Sequence, residues 1–598
     1  MTVAASNRLT EWFAGNGWTP AEFQQTAWAA YAAGESGLIH SATGSGKSLA
    51  AWGGPLLEGL EQAAAGHQTA AGFRVLWITP LRALAGDTLD SLRTAAAGVG
   101  LDWRIEKRTG DTSGGARTRQ RRRPPEALVT THESLSLLLS YRDAARQFAP
   151  LRAVIVDEWH ELIGTKRGVQ LELALARLRA LAPGLRTWGL SATLGNLDEA
   201  RDCLLGGIAR DGRLIQGPPA RPIHIRTLEP TQEERFPWAG HLGTQLIDGV
   251  IEALEGDGTC LLFTNTRSQA ERWFEALVRA RPDWIEGLGL HHGSIDRSLR
   301  DRIEAGLAAG AFRCVVATSS LDLGVDFAPV DRVIQIGSPK GVARLAQRAG
   351  RSGHQPGRHS QILCVPTNAL EMIEIAAARQ AWAAGEVESR PPLRESLDVL
   401  AQHLVTLAAG DGFEPDALYA EVRTTFAYAG LDEAAWQWTL DFVTRGGPVL
   451  AAYPDFQRVV AGIDGRYRIA GRGHASRHRM SIGTITSDAA IAVRYQGGGH
   501  IGTIEESFIA RLRPGDVFLF AGRSLALVRV RDLTAYVRRA SARRQAVPRW
   551  QGGRLPLSTA LADRVLSLLA EAAGGHFDEP EMRAIRPLLT VQSQWSEL

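Results

Sequence analysis

Between residues 1 and 385 the chain alternates short runs of aliphatic and β-branched residues with helix-length stretches, and the alternation comes in two series. The first series is Gly37–Ser41, Arg74–Ile78, Ala127–Thr130, Ala153–Val156 and Thr187–Leu190. The second is Thr259–Phe263, Gly287–His291, Arg313–Ala317, Arg332–Ile336 and Gln361–Val365. Runs this short and apolar suit strands buried on both faces, and helices between them indicate parallel pairing through crossovers. Two α/β domains in tandem follow. Their break is expected near 205–240, where Gly206-Gly207, Gly217-Pro218-Pro219 and a charged stretch interrupt the pattern.

Beyond Pro391-Pro392 the character changes. Residues 394–445 are helix-rich, and 446–470 carry hairpin signals, Gly446-Gly447-Pro448 and then Gly465–Ile469. Three helices followed by a small hairpin is a winged-helix pattern. From 476 onward the chain is Gly-rich with alternating strands such as Val517–Phe520 and Leu525–Val530, which predicts a small β-barrel-like module. Charge singles out the same region. The 598 residues carry only +3 in all, yet 476–554 hold fourteen arginines against five acids, which puts +9 there and −6 on the remainder. A basic module on a slightly acidic body suits a polyanion partner; a solvated basic surface is the plainer alternative, and composition does not separate them.

The four cysteines, Cys203, Cys260, Cys314 and Cys364, form no CxxC pair, which excludes zinc fingers, iron–sulfur clusters and a disulfide framework and fits a reducing compartment. No apolar run approaches the ~20 residues of a membrane span. The N-terminus shows no charged-then-apolar leader, so the expectation is a soluble, cytoplasmic protein without a membrane partner.

Ser41-Ala-Thr-Gly-Ser-Gly-Lys-Ser48 leaves the run ending at His40 and opens a helix near Leu49. Glycines there let backbone N–H groups converge on phosphate oxygens, at a helix N-terminus whose dipole favours anions. Thr43, Gly44, Ser45 and Gly46 would form the cradle, Lys47 would reach the β- and γ-phosphates, and the Ser48 hydroxyl would ligate Mg²⁺. The strict phosphate-loop pattern has glycine where this chain has Ser41. Downstream, Ala153–Val156 runs into Asp157-Glu158-Trp159-His160. Adjacent carboxylates at the end of an apolar strand repel each other unless a cation sits there; Asp157 would hold Mg²⁺ and Glu158 would polarise the attacking water. The expected cofactors are ATP and Mg²⁺. Lysine occurs only as Lys47, Lys107, Lys166 and Lys340, and only Lys47 stands where a compact point charge has a clear use.

Taken in order, these residues resemble a superfamily-2 helicase of the DExH type. Gln24 resembles the adenine-reading glutamine, Thr79–Leu84 motif Ia, Thr130–Leu135 motif Ib with His132 where proline is common, and Ser191-Ala192-Thr193 motif III. In the second series Phe263–Arg267 and His291–Ser294 resemble motif IV and its neighbour, Thr318–Asp326 motif V, and Gln347–His354 motif VI. The resemblance implies that Lys47, Asp157, Glu158 and His160 act in catalysis with Gln347, Arg348 and Arg351. It also implies that Gln24, Gly324, Asp326 and Arg351 join the phosphate loop around the nucleotide. The arginine matching the family's finger is Arg351, assisted by Gln347 and Arg348, and such a finger contributes ~10³–10⁵ in rate. An interdomain salt bridge is the alternative for these arginines. Relatives often carry a second arginine where this chain has His354.

The resemblance narrows beyond residue 385. Ile482–Ile485, Gly502–Glu506, Leu512–Asp516, Pro548–Gly553 and Leu555–Ser558, with the Ser-Gly-His ending of motif VI, resemble the Lhr (large helicase-related) family, and among its branches the ligase-associated DExH helicases. That implies a 3′→5′ translocase on single-stranded DNA that unwinds 3′-tailed DNA or RNA:DNA duplexes in bacterial DNA repair, with room for a repair ligase or nuclease as partner. These relatives usually continue past the position of Leu598, so a further C-terminal domain is expected of the family. The fold class expected is multi-domain α/β. Two tandem RecA-like P-loop domains (1–210 and 211–388) would be followed by a winged-helix domain (389–475) and a basic β-barrel-like DNA-binding module (476–598).

Strand contacts are expected from Arg82, Thr131 and Thr318 at the motif ends, with the run Arg117–Arg123 either adding to them or forming a solvated loop. Trp550, an aromatic among arginines and glycines, matches the family's base-stacking platform; packing in the barrel core is its alternative. Ile485 is expected to contribute beside it. Two readings compete with a DNA motor. One is an RNA helicase, because motor domains hold phosphates and sugars rather than bases. The other is an ATP-gated DNA-binding scaffold that separates no strands. No nuclease constellation stands outside the ATPase motifs.

Overall fold

The computed structural model describes residues 3–66, 72–82, 84–219, 222–230, 243–256, 258–322, 330–352, 360–446, 457–483, 490–531, 533–540, 546, 548 and 557–594. They fall into two units, each assembled from two stretches of chain: Met1–Ala220 with Ser389–Thr486, and Arg221–Glu388 with Ser487–Leu598.

In the first unit the described strands are β1 (Gly37–His40), β2 (Val75–Ile78), β3 (Ile105–Arg108), β4 (Ala127–Thr130), β5 (Ala153–Val156), β6 (Arg186–Ser191) and β7 (Arg213–Gln216). They form one sheet in the order β3-β4-β2-β5-β6-β1-β7, parallel throughout. The central strands β2, β4 and β5 are buried at every position, as their unbroken apolar runs require. Edge strands β3 and β7 escape a search for apolar runs because charged and polar residues sit on them. β7 also occupies part of the expected break: the chain leaves the first sheet after Gln216 and joins the second at Ile223. All seven strands present their carboxyl ends to one edge, where ligands of open parallel sheets bind.

The helix Lys166–Leu181 is buried on more than one side. Leu171, Ala174, Leu175 and Leu178 join the core of the sheet, whereas Val169 and Leu173 join a second core with Leu400, Leu404, Val422, Trp436 and Leu440. That second core belongs to the winged helix: helices Leu397–Ala408, Pro415–Val422 and Glu433–Arg445, then the antiparallel pair β14 (Val459–Ala461) and β15 (Tyr467–Ile469).

A buried acid lies in this contact. Glu172 accepts from the Ala427 N–H at 2.9 Å and from the Cys203 thiol at 3.2 Å, and burial pushes its carboxyl up to about 7 against those bonds. With the folded value above the unfolded one, the native state binds the extra proton. Stability is therefore lost as pH rises from the unfolded value through about 7. Glu172→Gln is expected to flatten that dependence and to gain on the parent at pH 8 by about 3 kcal/mol. Paired melting curves at pH 5 and pH 8 check it; an equal gap between variant and parent at both would refute the assignment.

In the second unit β8 (Ile223–Thr227), β9 (Cys260–Phe263), β10 (Leu288–His291), β11 (Cys314–Ala317), β12 (Arg332–Ile336) and β13 (Ser360–Val365) form a parallel sheet in the order β10-β11-β9-β12-β13-β8. β16 (Ala490–Tyr495), β17 (His500–Glu505), β18 (Val517–Phe520), β19 (Arg523–Arg531) and β20 (Thr534–Arg539) make a curled half-barrel in the order β17-β16-β20-β19-β18. Its register shifts at Val493/Arg494 and Leu527/Arg529 supply bends of the kind such curling uses. The half-barrel is fastened to the second sheet's domain. The buried Glu271 carboxylate accepts from the backbone N–H groups of Ala521 and Gly522 and lies 3.1 Å from His292 Nε2.

The chain from 559 corrects the expectation of a barrel-like module running to 598. Thr559–Ala573, Pro580–Ala584 and Arg586–Ser593 are helices, and Leu561, Leu568, Met582 and Leu589 belong to the second sheet's core. Ser558 caps the first of them by accepting from Leu561 N, and apolar residues at 561, 565, 568 and 572 have helical, not strand, spacing. No helix among the described residues is long and apolar enough to cross a membrane.

Candidate nucleotide and nucleic-acid sites

In the first unit β1 ends at His40 and the chain turns into the helix Lys47–Ala64. Gly44 and Gly46 stand at φ 78° and 86°, in the left-handed region that glycine enters freely. At Gly46 a Cβ would also fall 2.6 Å from Gln24 Nε2. That amide donates to Gly46 O at 3.0 Å while Gln24 Oε1 accepts from Ala21 N at 2.8 Å. Gln24 thus braces the loop, an engagement its expected adenine-reading role does not describe. Ser41, standing where the strict pattern has glycine, donates to Ser45 Oγ at 2.7 Å and ties the loop to itself.

The loop opposes the carboxyl end of β5. Lys47 Nζ is buried, has no hydrogen-bond partner and lies 3.5 Å from Glu158 Oε1. Asp157 accepts from the Glu158 N–H at 3.0 Å and from Trp77 Nε1 at 3.3 Å. Burial first, and then the Glu158 charge, hold the Asp157 carboxyl well above the usual carboxylate range, with Lys47 opposing. An unsatisfied ammonium beside crowded carboxylates fits a Mg²⁺-bound phosphate, which would satisfy both signs of charge at once. Glu158 itself stands at φ 45°, a conformation costing roughly 1–3 kcal/mol that persists mainly where function uses it. His160 Nδ1 lies 3.3 Å from Ser191 Oγ and 3.5 Å from Glu158 Oε2, so the end of β5 is tied to motif III at the end of β6. Burial depresses the His160 pKa, keeping the ring neutral.

Along the same edge Arg82 and Thr131 line a cleft with Arg108, Thr109, Gly110, Arg117, Glu133, Ser134, Arg479 and Ile482. Thr131 caps the helix His132–Leu139, and Arg82 is exposed beside Asp111 at 3.3 Å. Arg108 is the residue the sequence reading missed. It is 1% exposed, and its Nε and Nη2 find no hydrogen-bond partner. The run Arg117–Arg123 proves mostly helical, Gly114–Arg122. Arg117 donates to Gly110 O at 2.6 Å, Arg121 pairs with Asp143 at 3.2 Å, and Arg122 and Arg123 are exposed. Arg479, from the helix Arg472–Met480, donates to Ser140 O at 2.6 Å and lies over the Tyr141 ring, as Arg121 does.

The second unit carries the remaining described motif residues. Thr318 follows β11, and the helix Val342–Ala349 carries Gln347 and Arg348 and leads to Arg351. Arg348 is buried and fork-paired with Asp322 at 2.8 and 3.1 Å, over the Phe263 ring. Its guanidinium clamps motif V to motif VI within the unit, an engagement that its expected assisting role at the phosphate does not describe. Arg351 is half-buried and donates to Asp322 O at 3.0 Å. Gly324, Asp326, His354, Ile485 and Trp550 lie outside the described residues.

A phosphate loop after β1 and paired carboxylates after β5, at the carboxyl ends of two parallel strands that flank β6, with a second parallel sheet bearing motifs V and VI, define the DExH class of the superfamily-2 fold. Residues 21–200 match the DEAD/DEAH box helicase family, 244–355 the helicase conserved C-terminal domain, and 380–547 the winged helix domain of the large helicase-related protein. The ATP-dependent helicase Lhr-Core protein 2 of Thermococcus barophilus is 32% identical over 93% of this chain and 66% of its own length. The ATP-dependent helicase Lhr-Core of Methanothermobacter thermautotrophicus is 32% identical over 88% of this chain and 63% of its own. The solved structure of Mycobacterium smegmatis helicase Lhr bound to ssDNA and AMP-PNP superposes with a TM-score of 0.74 at 27% identity, covering 99% of this chain and 74% of that one. The chain belongs to the Lhr family of superfamily-2 helicases. It spans just under two thirds of the length of these two curated relatives.

Proposed function

We propose that this chain is the motor of an ATP-dependent DNA helicase that moves 3′→5′ along single-stranded DNA and opens 3′-tailed DNA or RNA:DNA duplexes, as in the ligase-associated branch of its family. The observation that carries the reading is the buried, unsatisfied Lys47 ammonium set against Glu158 beside Asp157. Such a set suits phosphoryl transfer, which needs positioned charge and little covalent chemistry from the protein. Lys47 and the loop N–H groups would hold phosphate oxygens; Asp157 and Ser48 would hold the metal; Glu158 would take the proton of the attacking water. Mg²⁺, when bound, supplies neutralisation of charge on the phosphate oxygens. Arg351 is read as the finger, with Gln347 beside it and His160 relaying the state of the site to Ser191.

On the nucleic-acid side Arg82, Arg108 and Thr131 are read as phosphate contacts of the first unit and Thr318 as one of the second. Trp550 would stack a base, a contact of roughly 1–3 kcal/mol, with Ile485 beside it. Single-strand binding is supported by the M. smegmatis relative, whose structure holds ssDNA. Each phosphate contact removed should shallow the slope of log affinity against log salt by about 0.7. Arg82→Ala and Arg108→Gln are each expected to do so, measured by fluorescence titration with an oligonucleotide, and an unchanged slope in both removes the cleft from the strand's path.

The decisive experiment compares ATP hydrolysis with and without single-stranded DNA, then strand displacement on 3′- and 5′-tailed duplexes whose tracking strand is DNA or RNA. Hydrolysis that ignores oligonucleotide would end the motor reading, and displacement only from RNA tracks would convert it to an RNA helicase.

A further inference from the structure

The Leu555–Ser558 segment, singled out in the sequence but given no part in the motor so far, ends on a junction in the second unit. Ser558 Oγ donates to Glu388 Oε1 at 2.9 Å, and Ser558 N donates to Lys340 O at 3.1 Å. The Glu388 carboxylate in turn accepts the first N–H groups of the motif VI helix, Val342 N on one oxygen and Ala343 N on the other at 2.7 Å. Those N–H groups have no partner inside the helix, and a carboxylate there is favoured by the helix dipole as well. The junction leaves no slack. A Cβ on Gly341 would fall 2.7 Å from Glu388 Oε1, and Lys340 stands at φ 62° with its ammonium on Glu374 at 2.7 Å.

We propose that Glu388, held by Ser558, is a positioning residue for Arg351: it sets the start of the helix that leads, through its cap Gly350, to the finger. Through Ser558 that start is tied to the chain segment that carries Trp550. The inference rests on the motor reading above. Its physical basis is length and stiffness. The helix is eight residues long, it is gripped at its far end by Arg348 on Asp322, and a shift at its start has no loop in which to dissipate before Arg351. Misplacement of a catalytic group by ~1 Å can cost up to ~10²-fold in rate. Glu388 is also the last residue of the second unit's first stretch, so the same carboxylate anchors the chain where it leaves for the winged helix.

Three substitutions at Ser558 separate positioning from folding. Ser558 also caps the helix Thr559–Ala573, and aspartate caps as well as serine, yet Ser558→Asp sets a second carboxylate against Glu388. The readouts are kcat and KM for ATP in oligonucleotide-stimulated hydrolysis, oligonucleotide affinity without nucleotide, and melting temperature. Ser558→Asp and Ser558→Ala are expected to lower kcat about tenfold, within the range above. KM and DNA affinity should stay near the parent values, melting temperature should fall for both variants, and Ser558→Thr should restore kcat. Glu388→Gln is expected to follow Ser558→Asp. A stimulated parent matched in kcat by Ser558→Asp overturns the inference alone, as does a loss confined to Ser558→Ala, which would be capping. A parent that oligonucleotide does not stimulate overturns the motor reading and the inference together.

Discussion

Lys47→Ala is expected to reduce nucleic-acid-stimulated ATP hydrolysis by ~10²–10³-fold, the scale seen when a preorganised transition-state contact is deleted. The ammonium makes no hydrogen bond, but it lies 3.5 Å from the buried Glu158 carboxylate, so its removal should also cost the fold some stability. The chemistry should suffer more: burial and the Glu158 charge hold the Asp157 carboxyl high with Lys47 opposing, so without the lysine Asp157 resists ionisation further. Lys47→Arg is expected to fail nearly as badly, because a planar guanidinium is not a compact point charge. Steady-state hydrolysis with a melting curve on the same preparations checks this. A folded Lys47→Ala protein keeping more than a tenth of parental kcat/KM would remove the loop from the reaction.

The second large effect separates two arginines three residues apart. Arg351→Ala should lower kcat by ~10³-fold, the low end for an arginine finger, with a melting temperature close to the parent's. Arg348→Ala should act mainly on stability. It strips Asp322 of its fork-paired partner in a buried site, and breaking such a pair costs about 3–5 kcal/mol. Thermal melts and ATPase on the two variants discriminate. The reverse pattern, a stable but inactive Arg348→Ala beside an active Arg351→Ala, would exchange the roles given to the two side chains.

What could be read from the chain divides along physical lines. Central strands β2, β4, β5, β9 and β11 are legible because burial on both faces demands unbroken apolar runs. β3, β7 and β8 are not, because an edge can carry charge without penalty. Lys47 and Asp157 are legible because phosphate chemistry fixes residue type and local order together. Arg108 has no such context; in a chain crowded with arginine nothing local marks one whose Nε and Nη2 are buried without a hydrogen-bond partner. Arg348 was legible as a motif member but not as a clamp, since its pairing with Asp322 is a fact of tertiary structure. The helices after Ser558 are marked only by the apolar spacing at 561, 565 and 568, and no break in composition separates them from the basic run that reaches Arg554.

Neither unit is a continuous piece of chain: the backbone passes between them at 220–221, returns at 388–389 and passes again at 486–487. During synthesis the first unit therefore cannot finish until residue 486 has left the ribosome, long after its own sheet is complete. Until then the helix Lys166–Leu181 holds Val169 and Leu173 bare of their winged-helix cover. Fragments cut after the second sheet should for that reason be sticky and prone to chaperone capture, whereas a cut at 486–487 keeps that cover but strips the second sheet's core of Leu561, Leu568, Met582 and Leu589.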